Sequence, residues 1–241
     1  MPRSNLSRAV CFALTLCCTS LPYAAHSGPN ANAKVLIDLQ EPQPGRATPP
    51  PGPQHTTCNP AGLRPCSEAN TAGDLYPTST YRHALLLITD ADAQAGIVGI
   101  ACGIRYGSGV EMLAWSSCGT LLLFPCVPPC WPESGTSTII TWDDASHCQR
   151  TEPAGPGTGV VAITGFFYLA AYSPDTLAVT PFHGYERVRV GACSNEEDAI
   201  APQNVGTVVF SPGGVTAGYN PCASGTPVQP STWGGIKHLF R

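Results

Sequence analysis

Between residues 81 and 210 the chain is a succession of short apolar runs with alternating side-chain character, and that alternation restricts it to sheets. In "IVGIACGIRY" (97–106) Ile100, Cys102, Ile104 and Tyr106 fall on one face of an extended strand, while Gly99, Ala101, Gly103 and Arg105 share the other. Runs rich in Val, Ile, Leu, Thr and aromatics recur as "HALLLITD", "VEMLAWSSC", "TLLLF", "TIITW", "GVVAITGFFYLAAYS", "TLAVT", "RVRVGAC" and "VGTVVF". Clusters of Gly, Pro, Asp, Asn or Ser separate them. The 25 glycines and 25 prolines among 241 residues are what many tight turns between short strands require. No long amphipathic helix pattern interrupts the series, and no strand–helix alternation supports a parallel sheet. The expectation is an all-β, antiparallel β-sandwich, with closure into a barrel as the alternative.

The first residues read as charged, then apolar ("AVCFALTLCCTSLPYAA"), then small, the order of a secretory signal peptide over 1–27. Cleavage is expected after Ala25, or after Ser27 with Ala25 and Ser27 at the −3 and −1 positions. Leu16 before Cys17 argues against lipidation there. Pro22 breaks the apolar run, and no later run reaches ~18 apolar residues, so no transmembrane segment is expected. The mature chain is expected to be secreted, extracellular or at the cell surface, with the periplasm as an alternative. A net charge of −4 with only 12% charged residues provides no basic surface for phosphates, so nucleic acid is not an expected partner.

Domain boundaries follow from composition. Residues 28–57 hold one short β run, "KVLIDL", and a proline-rich linker, "QEPQPGRATPPPGPQ", which sets that first strand apart from the rest. Residues 58–222 form the disulfide-stabilised sandwich. In the tail, 223–241, Ser231 or Thr232 is a candidate cap for a helical turn carrying Trp233, Ile236 and Phe240 toward one side.

Beyond the leader lie nine cysteines, and an exported chain should oxidise most of them. Local spacing suggests Cys58 with Cys66, Cys126 with Cys130, Cys118 with Cys148, and Cys193 with Cys222. Cys102, inside an apolar strand, is the candidate unpaired thiol; alternatively it takes a partner and another cysteine is left over. The segment "FPCVPPCWP" reads as a small disulfide staple across a proline bend. A zinc site from Cys126, Cys130, His147 and Cys148 is disfavoured because adjacent His147 and Cys148 point apart when extended. A redox pair is disfavoured because Val127-Pro128-Pro129 starts no helix.

Few residues point to catalysis. "YGSG" (106–109) resembles a strand-to-strand turn rather than a nucleophile elbow. His83, His147 and His183 with Asp143, Asp144 or Asp175 make a triad only on paper. Asp90 and Asp92 are candidate calcium ligands, lacking the third ligand and glycine of a calcium loop, and Glu196, Glu197 and Asp198 read as a solvated turn or a weaker calcium site. No other cofactor is expected. Trp115, Trp131 and Trp142 are candidates for a sugar-binding platform, or else fill the core.

The segments "TIITWDDASHCQRTEPAGPGTG", "YLAAYSPDTLAVTP", "GYNPC" and "TWGGIKHLFR" resemble, in the same order along the chain, segments of a family of uncharacterised exported bacterial proteins, over most of residues 34–241. Cys126 and Cys130 depart from that pattern, which favours a local addition over a shared site. "GIVGIACGIRYGSGVEMLAW" is similar to the early strands of cohesin-like and other immunoglobulin-like sandwiches of bacterial surfaces. That resemblance implies a binding or structural role. The expected function is a non-enzymatic module that binds protein or glycan; a secreted hydrolase and a structural subunit of an extracellular assembly are the alternatives.

Overall fold

A computed structural model describes residues 28–40, 58, 63–76, 81–122, 131–142, 148–150, 152 and 159–223. The leader, the proline-rich linker, Cys126 and Cys130, and the tail from residue 224 lie outside the described residues.

Twelve strands are described: β1 (Lys34–Leu39), β2 (Ala72–Gly73), β3 (Arg82–Thr89), β4 (Gly99–Arg105), β5 (Val110–Ser117), β6 (Thr120–Leu122), β7 (Ser137–Thr141), β8 (Val160–Ala171), β9 (Asp175–Pro181), β10 (Arg189–Gly191), β11 (Glu197–Ala199) and β12 (Thr207–Phe210). They form two layers. One is a four-stranded sheet in the order β1-β3-β8-β5, and the other an eight-stranded sheet along the path β11-β10-β4-β9-β12-β2, with β7 and β6 beside β4. The protein is an all-β sandwich; among the described strands the pairing is antiparallel except where β12 runs parallel to β2, and Val35 and Val205 add an isolated parallel bridge. The only helical pieces among the described residues are three-residue 3-10 turns.

The core between the layers comes from alternate residues of each strand. Val35, Ile37 and Leu39 of β1, Ala84, Leu86 and Ile88 of β3, and Phe167 and Leu169 of β8 meet Ile100, Cys102 and Ile104 of β4 and Leu177 and Val208 across the sandwich. A full linear register joins β1 to β3, from Lys34 opposite Thr89 to Leu39 opposite Ala84. The expected boundary at residue 57 therefore does not detach the first strand, which is buried inside the sandwich.

The four-stranded sheet is apolar on its outer face too. Leu36, Leu85, Leu87, Ile163 and Phe166 point away from the main core and form a second cluster with Leu63 and Cys66. "ALLLI" (84–88) is thus a continuous rather than alternating run because both faces are covered. The described cover is a strap made of Cys58 and residues 63–73, and three contacts hold it. Cys58 is bonded to Cys118 at the β5 edge, Cys66 is bonded to Cys222, and Ala72–Gly73 joins the other sheet as β2. At the β1 edge the buried Asp38 carboxylate accepts the Asn70 backbone N–H at 2.7 Å and lies 3.8 Å from Nη1 of Arg64.

The third described bridge joins Cys148 to Cys193. The local pairings Cys58–Cys66, Cys118–Cys148 and Cys193–Cys222 are therefore corrected to Cys58–Cys118, Cys148–Cys193 and Cys66–Cys222. Sequence proximity misleads here because Cys58 and Cys66 fasten two different points of the strap to two different neighbours.

The bridge from Cys58 to Cys118 closes a loop of 60 residues. Replacing both cysteines with alanine is expected to cost about 4 kcal/mol of stability by loop-closure entropy. Urea denaturation of the two forms measures that difference.

Candidate functional site

Where the strap ends, aromatic rings take over the outer face of the four-stranded sheet. Period two in "FFYLAAY" aligns Phe166, Tyr168, Ala170 and Tyr172 on that face of β8 and its extension. His83 of β3 stands opposite Tyr168 and packs tilted between it (5.3 Å) and Phe166 (4.9 Å). Tyr81, just before β3, stacks on Tyr168 at 5.4 Å. Tyr76 approaches from the end of the strap, its backbone N–H bonded to the Ala171 carbonyl at 2.7 Å, and its ring lies 5.1 Å from Tyr172 and 6.4 Å from Tyr81.

The ladder runs from the interior to solvent. Tyr168 is 1% exposed, Tyr81 half-buried, and Tyr76 and Tyr172 are 45% and 47% exposed. Exposed Glu111 of β5, opposite Ala170, supplies a carboxylate at the margin. Hydrogen bonding to Tyr81 and Glu111 favours the protonated phenol of Tyr172 and holds it well above the usual tyrosine range. The Tyr172 backbone N–H donates to the Gly109 carbonyl at 2.7 Å. Gly109 is itself fixed because the Asp175 carboxylate accepts the N–H groups of Gly107, Gly109 and Val110 at 2.9 to 3.2 Å. "YGSG" is accordingly a pinned turn, as its sequence suggests.

The sequence candidates lie elsewhere. Trp131 and Trp142 are buried in the main core, and Trp115 packs against it, 4.5 Å from Phe167 and edge-on to Trp131 at 5.8 Å. The indole of Trp115 also fills the space beside Gly165, where a Cβ would stand 2.5 Å from its Cζ2. Asp90 pairs with Nζ of Lys34 at 2.6 Å, and Asp92 accepts the N–H groups of Gln94 and Ala95 at 2.8 Å. Asp90 also lies within 4.8 Å of the Cys66 and Cys222 sulfurs, which are spent on their bridge. The segment "SNEEDA" is no plain solvated turn: Glu197–Ala199 forms β11, Glu197 pairs with Arg189 at 2.9 Å, and Asp198 is buried. His83 belongs to the ring ladder, and His147, Asp143 and Asp144 lie outside the described residues.

On the outer face of the eight-stranded sheet the small residues Gly99, Ala101 and Gly191 leave a trough of about 210 Å3. It is smaller than the ~300 Å3 at which ordinary ligand pockets begin. Its rim cation, Arg189, is already shared between Glu197 and the ring of Tyr185, 4.5 Å away.

No protein-family model matches this chain, and no curated protein matches its sequence. Solved structures with a similar strand layout exist. The fold is similar to cohesin modules. One, from a family 33 glycoside hydrolase of Clostridium perfringens, superimposes with a TM-score of 0.39 at 10% identity over 59% of this chain and 90% of that one. Another, the sixth cohesin of scaffoldin B from Acetivibrio cellulolyticus, solved with a Cel5 dockerin, gives 0.37 at 8% identity over 75% and 98%. Likeness at that level concerns strand layout alone. It assigns this chain no partner, and the family resemblance of the tail lies outside the described residues.

Cys102 remains a free thiol, fully buried in β4. Desolvation pushes it up to about 12. The unfolded thiol ionises first, so Cys102 lowers stability as pH rises from about 9 toward 12. Native protein at pH 8 is expected to take up no iodoacetamide at Cys102, whereas protein in denaturant alkylates there; mass spectrometry of both samples checks it.

Proposed function

We propose that this chain is an exported, non-enzymatic binding module whose ligand is a glycan lying across Tyr76, Tyr81 and Tyr172. The observation that carries this reading is the set of phenol rings on one sheet end, partly exposed yet held by rings behind them. Aromatic faces offer an apolar surface to the C–H face of a pyranose, while their hydroxyls and Glu111 can bond to sugar hydroxyls. Rings already locked by packing lose little freedom on binding, which lowers the entropic cost of association. A small, shallow surface of this kind suits a chain of sugar units better than an enclosed small molecule.

A hydrolase reading gains little from the described carboxylates. Asp38, Asp90, Asp92 and Asp175 are each engaged by a cation or by backbone N–H groups. The alternative of an assembly subunit, in which the N-terminal strand or the C-terminal tail adds to a neighbour, gains nothing from β1, which pairs with β3 of its own chain, and the tail lies outside the described residues.

Calorimetric titration with cellohexaose, xylohexaose, chitohexaose and maltohexaose, alongside a printed glycan array, tests the proposal. At least one glycan is expected to bind, and Tyr76→Ala and Tyr172→Ala are each expected to weaken it by about tenfold. Their unfolding midpoints should stay near the wild-type value because both rings are half exposed. Absence of binding on the array and in every titration, or binding untouched by both substitutions, contradicts the reading.

A further inference from the structure

A buried carboxylate at the sandwich edge is only half satisfied. Asp198, the middle residue of β11, stands opposite Val190 and points inward, 1% exposed. Its Oδ2 accepts the backbone N–H of Asn30 at 2.8 Å, whereas Oδ1 has no hydrogen-bond partner among the described residues. A lone buried carboxylate oxygen is costly, and a cation with donors to spare is its usual remedy.

Among the described residues, the cations of the adjoining segments have other carboxylate partners, although Nε of Arg189 has no hydrogen bond of its own. Arg189 of β10 pairs with Glu197, and Lys34 pairs with Asp90. The acids of the adjoining segments are Asp92, bound to its own turn, and Glu196, beside the hydroxyl of Ser194. What lies directly over Oδ1 is Gly28. A Cβ on Gly28 would stand 2.5 Å from Oδ1 and 2.9 Å from both Cγ and Oδ2, so only glycine fits. The turn that follows is rigidly seated, for buried Asn30 donates from Nδ2 to the Gly96 carbonyl at 3.0 Å and accepts the Asp92 N–H at 2.9 Å.

The leader-like pattern of residues 1–27 offers two cleavage points, after Ala25 or after Ser27. Hydrolysis of the Ser27–Gly28 bond gives the oxygen of water to the new Ser27 carboxylate and its protons to the Gly28 nitrogen, which becomes an ammonium with three donors. Cleavage after Ala25 instead leaves an amide at Gly28. We propose that the mature chain begins at Gly28 and that its α-ammonium is the missing partner of Asp198 Oδ1, so that leader removal completes a buried ion pair fastening β11 to the N-terminal turn. This rests on the leader reading and is independent of the glycan site.

Two measurements test it. The full chain, expressed with its own leader in a secreting bacterial host, is expected to yield a product whose first residue is Gly28. A product that keeps residues 1–27 refutes the leader reading, and one that begins at His26 refutes the processing site. Separately, protein beginning at Gly28 is compared with protein extended by Ser27, each with and without Asp198→Asn, by urea denaturation. In the Asp198 chain the extension is expected to raise the unfolding constant at pH 7 by about 100-fold or more, as loss of one member of a buried pair does. In the Asp198→Asn chain it should have little effect. The penalty of extension should be full below the ordinary α-amino range of ~8 and vanish at higher pH as the folded ammonium loses its proton. Equal effects of extension in both backgrounds, or none in either, overturn the ion pair.

Discussion

The four-stranded sheet is apolar on both faces, and covering its second face organises the rest of the molecule. Leu36, Leu85, Leu87, Ile163 and Phe166 cannot be left in water, at roughly 1.5–3 kcal/mol for each buried large side chain. Among the described residues no α-helix covers them. The described part of the strap covers them with Leu63, Ala69 and the Cys66–Cys222 bridge. Two covalent bridges and the buried Asp38 carboxylate supply the constraint that a helix would have provided through area.

The ring ladder follows from the same constraint. The strap reaches only part of the outer face and then crosses to the other sheet through Ala72 and Gly73. Beyond that crossing, Phe166, His83 and Tyr168 cover one another, and Tyr81, Tyr76 and Tyr172 step outward to solvent. Amphipathic rings suit such a margin, since each buries an apolar body while its hydroxyl stays wet. The surface that remains is apolar, ordered and open, the combination from which the binding role is inferred.

Much of this architecture was legible in the residues because strands impose a period of two. Each apolar run between "HALLLITD" and "VGTVVF" corresponds to a strand, and Cys102 sits in the core face that its alternation implied. Strands of two or three residues, β2 and β11, carry too little pattern to read, and Glu197-Asp198-Ala199 looks like a solvated turn until its pairing with β10 is seen. Disulfide partners were the least legible feature, since eight cysteines admit 105 pairings and three-dimensional proximity decides among them. The tryptophans are the largest rings in the sequence, but a register shift between Met112 and Ala114 breaks the alternation of β5 and turns Trp115 inward opposite Phe167, away from the face that Glu111 shares. The tyrosine set is not legible in the sequence because half of it, Tyr76 and Tyr81, comes from segments without strand period and meets β8 and its extension only in the folded chain.

Because the strap depends on bonds that span the sheet, its cross-links test this account most directly. Proteolysis of the oxidised protein without reduction, followed by mass spectrometry, should recover one peptide pair joined through Cys58 and Cys118 and another through Cys66 and Cys222. Recovery of Cys58 joined to Cys66 would mean that the segment is closed on itself, leaving the outer leucines without their anchored cover, and would contradict it.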